Sequence, residues 1–268
     1  MLNKEVRNIV IVGKTGNGKS STGNSILGLV SPKKNAPSLP NEGFRTGTGP
    51  SGVTRTSQMK QAMINGQIIN VIDTPGLFDS DMMPDQASEE IVKCMQMAKE
   101  GIHAFIGVVS TWNRFTEEEA NAFRVLKRLF GDKSLDYMII VFTVESNEFE
   151  SIKDFEEEYL SNAPKILKEI VEQSKHRIVL FDNLTKDEET KKKQRMDLLG
   201  LVNQVVAKNN GQPYTNEYFT RIQESEAKLY YEPEPIQALA LAAPKTPAKV
   251  KNAMKKEAKE TLIDIKNE

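Results

Sequence analysis

A single cysteine, Cys94, in 268 residues leaves no partner for a disulfide within the chain and suits a reducing compartment. Histidine is nearly absent as well. His103 and His176 are isolated beside expected strand starts, so both read as structural, and no His/Cys grouping suggests zinc. Neither sign of charge dominates: 36 Lys and Arg against 37 Asp and Glu lack the basic surplus of a dedicated nucleic-acid binder. Long apolar runs are missing too. The most apolar tail segment, Ile236 to Ala243, is far too short to cross a bilayer, and the charged stretch Asn3 to Asn8 does not resemble a signal peptide. These absences lead to the expectation of a cytoplasmic protein with no nucleic-acid partner.

Short apolar runs alternate with longer helical patterns, which points to an α/β class with a mostly parallel, six-stranded sheet flanked by helices. Strands are expected at Ile9–Val12, Met59–Ile64, Ile68–Ile72, Ala104–Val109, Tyr137–Phe142 and Ile178–Phe181. Asn65-Gly66 between the second and third is a hairpin turn signal, so that pair is expected to be antiparallel. Helical patterns cover Lys19–Leu27, Asp85–Lys99, Thr116–Phe130, Ile152–Lys175, Glu188–Lys208 and Thr215–Tyr230. Thr116 followed by Glu119 predicts a capping box. The Pro-, Gly-, Ser- and Thr-rich stretch from Ser31 to Arg55 reads as a long mobile loop. Domain organisation is expected as a main domain over 1–210, a packed C-terminal helical extension over 211–231, and a flexible linker and basic tail over 232–268. The tail carries Val250, Met254, Leu262 and Ile265 at helical spacing, so it is also a candidate for peripheral contact with an anionic membrane.

The run Gly13-Lys14-Thr15-Gly16-Asn17-Gly18-Lys19-Ser20 fits G-x-x-x-x-G-K-[ST] at every fixed position, after an apolar strand and before a helix. Glycines let backbone N–H groups turn inward around phosphates, and the helix N-terminus adds partial positive charge. Residues Gly13 to Ser21 are therefore the expected phosphate cradle, with Lys19 reaching the β- and γ-phosphates and the Ser20 hydroxyl ligating Mg²⁺. Further on, Asp73-Thr-Pro-Gly76 ends another apolar strand. An acid there holds Mg²⁺ through water, and the Gly76 N–H senses a γ-phosphate. Thr54 is the preferred switch threonine, closing on Mg²⁺ when a γ-phosphate is present, with Thr46, Thr48 and Thr56 as rivals.

Four blocks in order, GKTGNGKSSTGNSILG, DTPGLFD, GIHAFIGVVSTWNRFTEEE and LFDNLTKDE, resemble the immune-associated nucleotide-binding GTPases: the GIMAP family of vertebrates and its plant relatives, akin to septins and chloroplast import GTPases. The resemblance covers about residues 6 to 225. It implies a Ras-like P-loop GTPase domain with a C-terminal helical extension, GTP or GDP with Mg²⁺ as ligands, and nucleotide-dependent homodimers or oligomers. Effector proteins are implied without being identified. Where Ras-like enzymes place a water-orienting Gln, this chain has Leu77, so a slow intrinsic GTPase is expected. Arg114 in WNRFTEEE stands where some relatives are thought to supply an arginine across the dimer; an exposed arginine paired with the following glutamates is the alternative.

The base-reading box is altered. Relatives place a carboxylate to accept both guanine donors, N1–H and N2–H₂. Here the stretch reads Thr143-Val-Glu-Ser-Asn-Glu148. Asn147 in the acid's place would set a donor against a donor, weakening guanine preference by about 2 kcal/mol. Glu145 or Glu148 in register would restore the carboxylate. After the last strand, Asn183 is expected to help hold the base. Two other readings stay open: a nucleotide-binding scaffold of little catalysis, and a P-loop NTPase of relaxed base specificity.

Overall fold

The computed structural model describes residues 5–33, 41–47, 54–77, 82–145, 148–231 and 248–267. Six strands, β1 (Val6–Val12), β2 (Gln58–Ile64), β3 (Gln67–Asp73), β4 (Ala104–Ser110), β5 (Met138–Thr143) and β6 (Ile178–Phe181), form one sheet in the order β2-β3-β1-β4-β5-β6. All neighbours run parallel except β2 and β3, which pair antiparallel from Gln58↔Asp73 to Ile64↔Gln67. Between them Asn65 and Gly66 both take positive φ, 50° and 82°, as the two-residue hairpin turn requires. The central strands β4 and β5 are buried at every position, which is the pattern of parallel strands covered on both faces.

Helices α1 (Lys19–Leu27), α2 (Pro84–Met97), α3 (Glu117–Phe130), α4 (Ile152–Glu158), α5 (Lys165–Gln173), α6 (Glu188–Lys208), α7 (Glu217–Tyr231) and α8 (Ala248–Asn267) flank the sheet. Thr116 caps α3 with the expected box: its hydroxyl accepts from the Glu119 N–H while the Glu119 carboxylate accepts from the Thr116 N–H. The single helix expected over 152–175 is broken. Pro164 cannot donate the i→i−4 bond and its ring crowds the preceding turn, so a 3₁₀ turn at Leu160–Asn162 separates α4 from α5.

The loop expected to be mobile from Ser31 to Arg55 is pinned where it is described. The Asn24 side chain accepts from the Phe44 N–H at 2.6 Å and donates to the Phe44 carbonyl at 2.9 Å. Gly23 makes room for the Phe44 ring, since a Cβ there would lie 2.8 Å from it. Gly23 therefore sits mid-helix, where its ~1 kcal/mol propensity cost against Ala is offset by Phe44 packing.

The extension after β6 is tied to the domain by Tyr214. Its backbone pairs with Ile102, its hydroxyl donates to the Phe130 carbonyl, and its ring packs among Phe105, Phe130, Tyr137 and Phe219. The tail differs from the flexible segment expected. Residues 248–267 form α8, which lies on α2 with Met254, Ala258 and Leu262 buried. Lys255 pairs with Glu89 at 2.5 Å, Lys259 with Asp85 at 2.7 Å, and Glu257 with Arg221 of α7 at 2.9 Å. The apolar residues that made α8 a membrane candidate are thus covered by protein at Met254 and Leu262. The side chains of Val250 and Ile265, and the linker 232–247, lie outside the described residues.

His103 is buried at the start of β4, and its Nδ1 accepts the Asn8 N–H at 3.0 Å, which fixes the neutral tautomer. Burial, helped by the Arg7 guanidinium and opposed by Glu5, holds it down to about 4. An unfolded chain takes up this proton below pH ~6.5 while the folded one does not until about pH 4. Stability from this group is therefore complete above pH ~6.5 and falls toward pH 4 by up to about 3 kcal/mol. Urea unfolding at stepped pH checks this: the loss should shrink in His103→Asn, and equal pH slopes in the two proteins would refute it. Leu262→Asp should unseat α8 at a cost of ~2 kcal/mol or more. The melting temperature should drop and trypsin should cut the tail faster; an unchanged melt with an unchanged tryptic half-life would count against the docking.

Candidate functional site

The loop from Gly13 to Gly18 leaves β1 and feeds α1, and three of its glycines have positive φ: 144° at Gly13, 92° at Gly16 and 89° at Gly18. Gly13 lies hard against β4, where a Cβ would come within 2.5 Å of the Val108 carbonyl oxygen. No other residue type fits there. The same carbonyl accepts the Asn17 side-chain amide at 3.0 Å, and that amide also donates to Glu119 Oε1 at 2.7 Å. From β5, the Thr143 hydroxyl donates to the Asn17 carbonyl at 3.1 Å. The loop is thus held from β4, β5 and the start of α3 at once, and Lys14 adds an ion pair to Glu118 at 2.7 Å.

Next to the loop lies a cleft of about 290 Å³, lined by Thr15 to Ser21, Arg45, Thr54, Gly76, Trp112, Thr143 and Asn183 among others. Lys19 is buried with its ammonium donating to the Lys14 carbonyl at 2.9 Å, which curls it over the loop. At the inner end three oxygens converge. The Ser20 hydroxyl donates to Asp73 Oδ2 at 2.6 Å, the Thr54 hydroxyl donates to the same oxygen at 3.2 Å, and the two hydroxyls lie 3.0 Å apart. Asp73 Oδ1 is buried with no hydrogen-bond partner. Burial pushes the Asp73 carboxyl above the usual carboxylate range, while the Ser20 hydroxyl and the Lys19 charge pull it back.

Hydroxyl and carboxylate oxygens around an unpartnered buried acceptor form a hard-oxygen donor set, suited to Mg²⁺ kept partly hydrated. Of the rival threonines, Thr46 lines the cleft without joining this cluster, Thr56 bonds Glu90, and Thr48 lies outside the described residues. Gly76 lines the cleft beside Thr54, and the Thr74 hydroxyl fixes the turn by donating to the Ile11 carbonyl at 2.7 Å. Leu77 is buried in the core and is not among the residues that line the cleft.

The base end departs from expectation. Neither Glu145 nor Glu148 lines the cleft. The Glu148 carboxylate closes its own turn, accepting from the Glu145 N–H at 3.1 Å and the Thr111 hydroxyl at 2.9 Å. Glu145 borders a separate hollow beside β6. Asn147, the third alternative, lies outside the described residues. Asn183 does line the cleft, but its amide is engaged with α1: it donates to the Thr22 hydroxyl at 3.0 Å and accepts from the Ser25 hydroxyl at 3.1 Å. Arg114 stands exposed on the loop after β4, outside the cleft lining, and makes no ion pair among the described residues. The alternative reading, a pairing with the following glutamates, is not met among the described residues, where Glu117 pairs with Arg124 and Glu118 with Lys14.

Sequence reasoning missed three contributors. Trp112 and Leu184 line the cleft while remaining 53% and 67% exposed, an apolar edge beside the polar lining. Glu119 was visible as a capping residue, but nothing in the spacing announced that its second oxygen holds the phosphate loop.

A family model described as the AIG1 family matches residues 7–232. Immune-associated nucleotide-binding protein 9 of Arabidopsis thaliana is 44% identical over 225 residues, covering 83% of this chain and 62% of that protein. Protein 7 of the same series and organism is 40% identical over 228 residues, covering 84% and 69%. The chain thus spans about three fifths to two thirds of the length of these curated relatives. Among solved structures, Arabidopsis thaliana Toc33 with GDP and Mg²⁺ shares the fold at TM-score 0.51 and 20% identity, over 75% of this chain and 86% of that one. A second, from work on the chloroplast translocon components atToc33 and psToc159, matches at TM-score 0.53 and 20% identity, over 76% and 84%. With a six-stranded P-loop domain and a family model matching from β1 to the end of α7, the chain belongs to the AIG1 family.

Proposed function

We propose that this chain is a guanine-nucleotide switch that binds GTP and GDP with Mg²⁺ and hydrolyses GTP slowly. The observation carrying this reading is the convergence of Ser20, Thr54 and Asp73 beside the glycine cradle and Lys19. In this reading the loop N–H groups and Lys19 bind the β- and γ-phosphates, while Ser20 and Thr54 hold Mg²⁺ directly and Asp73 does so through water. The ion, when bound, neutralises phosphate charge and keeps Asp73 ionised. Thr54 and the Gly76 N–H respond to the γ-phosphate, ordering the segments they belong to. Leu77 has no group to orient or deprotonate water and is buried besides, which supports a low rate in the isolated protomer.

Self-association is the second part of the reading. One solved neighbour is described as a protein for which dimerization is important for GTPase activity. Arg114 is exposed and makes no ion pair among the described residues, on the loop after β4 that also carries the cleft residue Trp112, and in this reading it reaches a second protomer's phosphates. A trans-acting arginine is worth roughly 10³–10⁵ in rate. Effector proteins would read the nucleotide-ordered segments, and peripheral membrane contact through the tail would require α8 to lift from α2, which now covers Met254 and Leu262.

A relaxed base preference is the alternative, and one observation favours it: neither Glu145 nor Glu148 lines the cleft. Trp112 is the only tryptophan in the chain and lines the cleft, so nucleotide binding should change its emission. Titration of GTPγS, ATPγS and XTP by this signal in Mg²⁺ tests the base; GTPγS should bind at least tenfold tighter, and equal ATPγS binding would establish the alternative. Lys19→Ala should lose the response by at least a hundredfold in affinity. Turnover per protomer should rise with protein concentration and fall sharply in Arg114→Ala; flat turnover or an unaffected mutant would favour a scaffold of little catalysis.

A further inference from the structure

β6 ends the sheet, and its four residues, Ile-Val-Leu-Phe, carry no charge. Sheet edges are ordinarily guarded by lysine, proline or a covering element. The opposite edge, β2, follows that rule with Lys60 and two glutamines. On β6 the carbonyls of Arg177 and Phe181 accept from Ile140 and Val144 of the β5 side. Alternation along the strand therefore turns the Leu180 N–H and C=O, with the Ile178 C=O, to the outside.

Outside them is a hollow of about 790 Å³, walled by the segment after β5, by β6 and by the first half of α6. Ile152, Ile178, Leu180 and Leu201 supply apolar surface to it. Its charged lining is one-sided: Glu145, Glu150, Asp182, Asp187 and Asp197 against Lys193, which is already paired with Asp197 at 2.9 Å. Glu145 and Glu150 are exposed and make no ion pair among the described residues. A phosphate-rich partner, whether lipid or nucleic acid, would be repelled by that rim.

We propose that this hollow docks a short, extended, basic segment of a partner protein, which adds to β6 as a strand. Backbone bonds to Leu180 would fix it, aliphatic side chains on one face would enter the hollow, and Lys or Arg on the other would meet the carboxylates. The length of β6 limits the paired stretch to roughly four to six residues. The nucleotide reading is not required for this site.

The full chain is titrated against a fluorescein-labelled heptapeptide of alternating lysine and valine, read by anisotropy. Saturable binding is expected. A glutamate-for-lysine peptide and a fully N-methylated lysine peptide should each bind at least tenfold more weakly. The charge-reversed double variant Glu150→Lys/Asp197→Lys should also lose at least tenfold while keeping its melting temperature and its far-ultraviolet circular dichroism. Equal binding by the N-methylated peptide would reduce the site to bulk charge and overturn strand addition. Binding unchanged in the double variant, or absent from the native chain, would overturn the site. A change in sedimentation of the double variant without peptide binding would assign the face to a second copy instead.

Discussion

The close approach of Gly13 to the Val108 carbonyl is the contact on which the cleft depends. A parallel strand buried on both faces offers few places where another backbone can touch it. Gly13 makes such a touch possible only because it has no Cβ. Once the loop is seated, Asn17 takes the same carbonyl and passes the link to Glu119, whose other oxygen holds the Thr116 N–H and hydroxyl. The glycine-rich turn and the turn that presents Arg114 are therefore fastened through one buried carboxylate. Any substitution at Gly13 would disturb both.

Polar groups are buried densely around that seat: Asn17, Lys19, Asp73, Thr74 and Glu119 are all among the buried residues. Taking such groups from water is unfavourable unless each finds a partner. Most do, and the exception, Asp73 Oδ1, lies in the oxygen cluster proposed for the cation. The domain gains its stability elsewhere, from the aliphatic faces of β1, β4 and β5 and from the aromatic cluster around Tyr214. That division leaves the cleft free to be shaped for binding.

The sheet was legible because its strands are short apolar runs separated by turn residues, and the phosphate loop because glycine positions encode backbone geometry directly. Ser20, Asp73 and Thr54 could be matched by type and order, and they meet in space. Three features were not readable from local pattern. Pro164 splits one helical pattern into two, since periodicity continues across a break that only ring sterics impose. The tail helix looked free because its partner surface, α2, is distant in sequence. The base end resisted for a different reason: a carboxylate serves either guanine or its own turn, and Glu148 takes the turn through contacts with Thr111 that spacing does not reveal.

Cys94 acquires a meaning from the helix it occupies. The thiol is fully enclosed in α2, and burial pushes it up to about 12, so almost no thiolate exists at neutral pH. Oxidants and alkylating reagents then meet an inert side chain while α2 stays packed against α8. Modification of the lone thiol becomes a clock for the opening of that layer, and its rate measures how often α2 lifts away from α8.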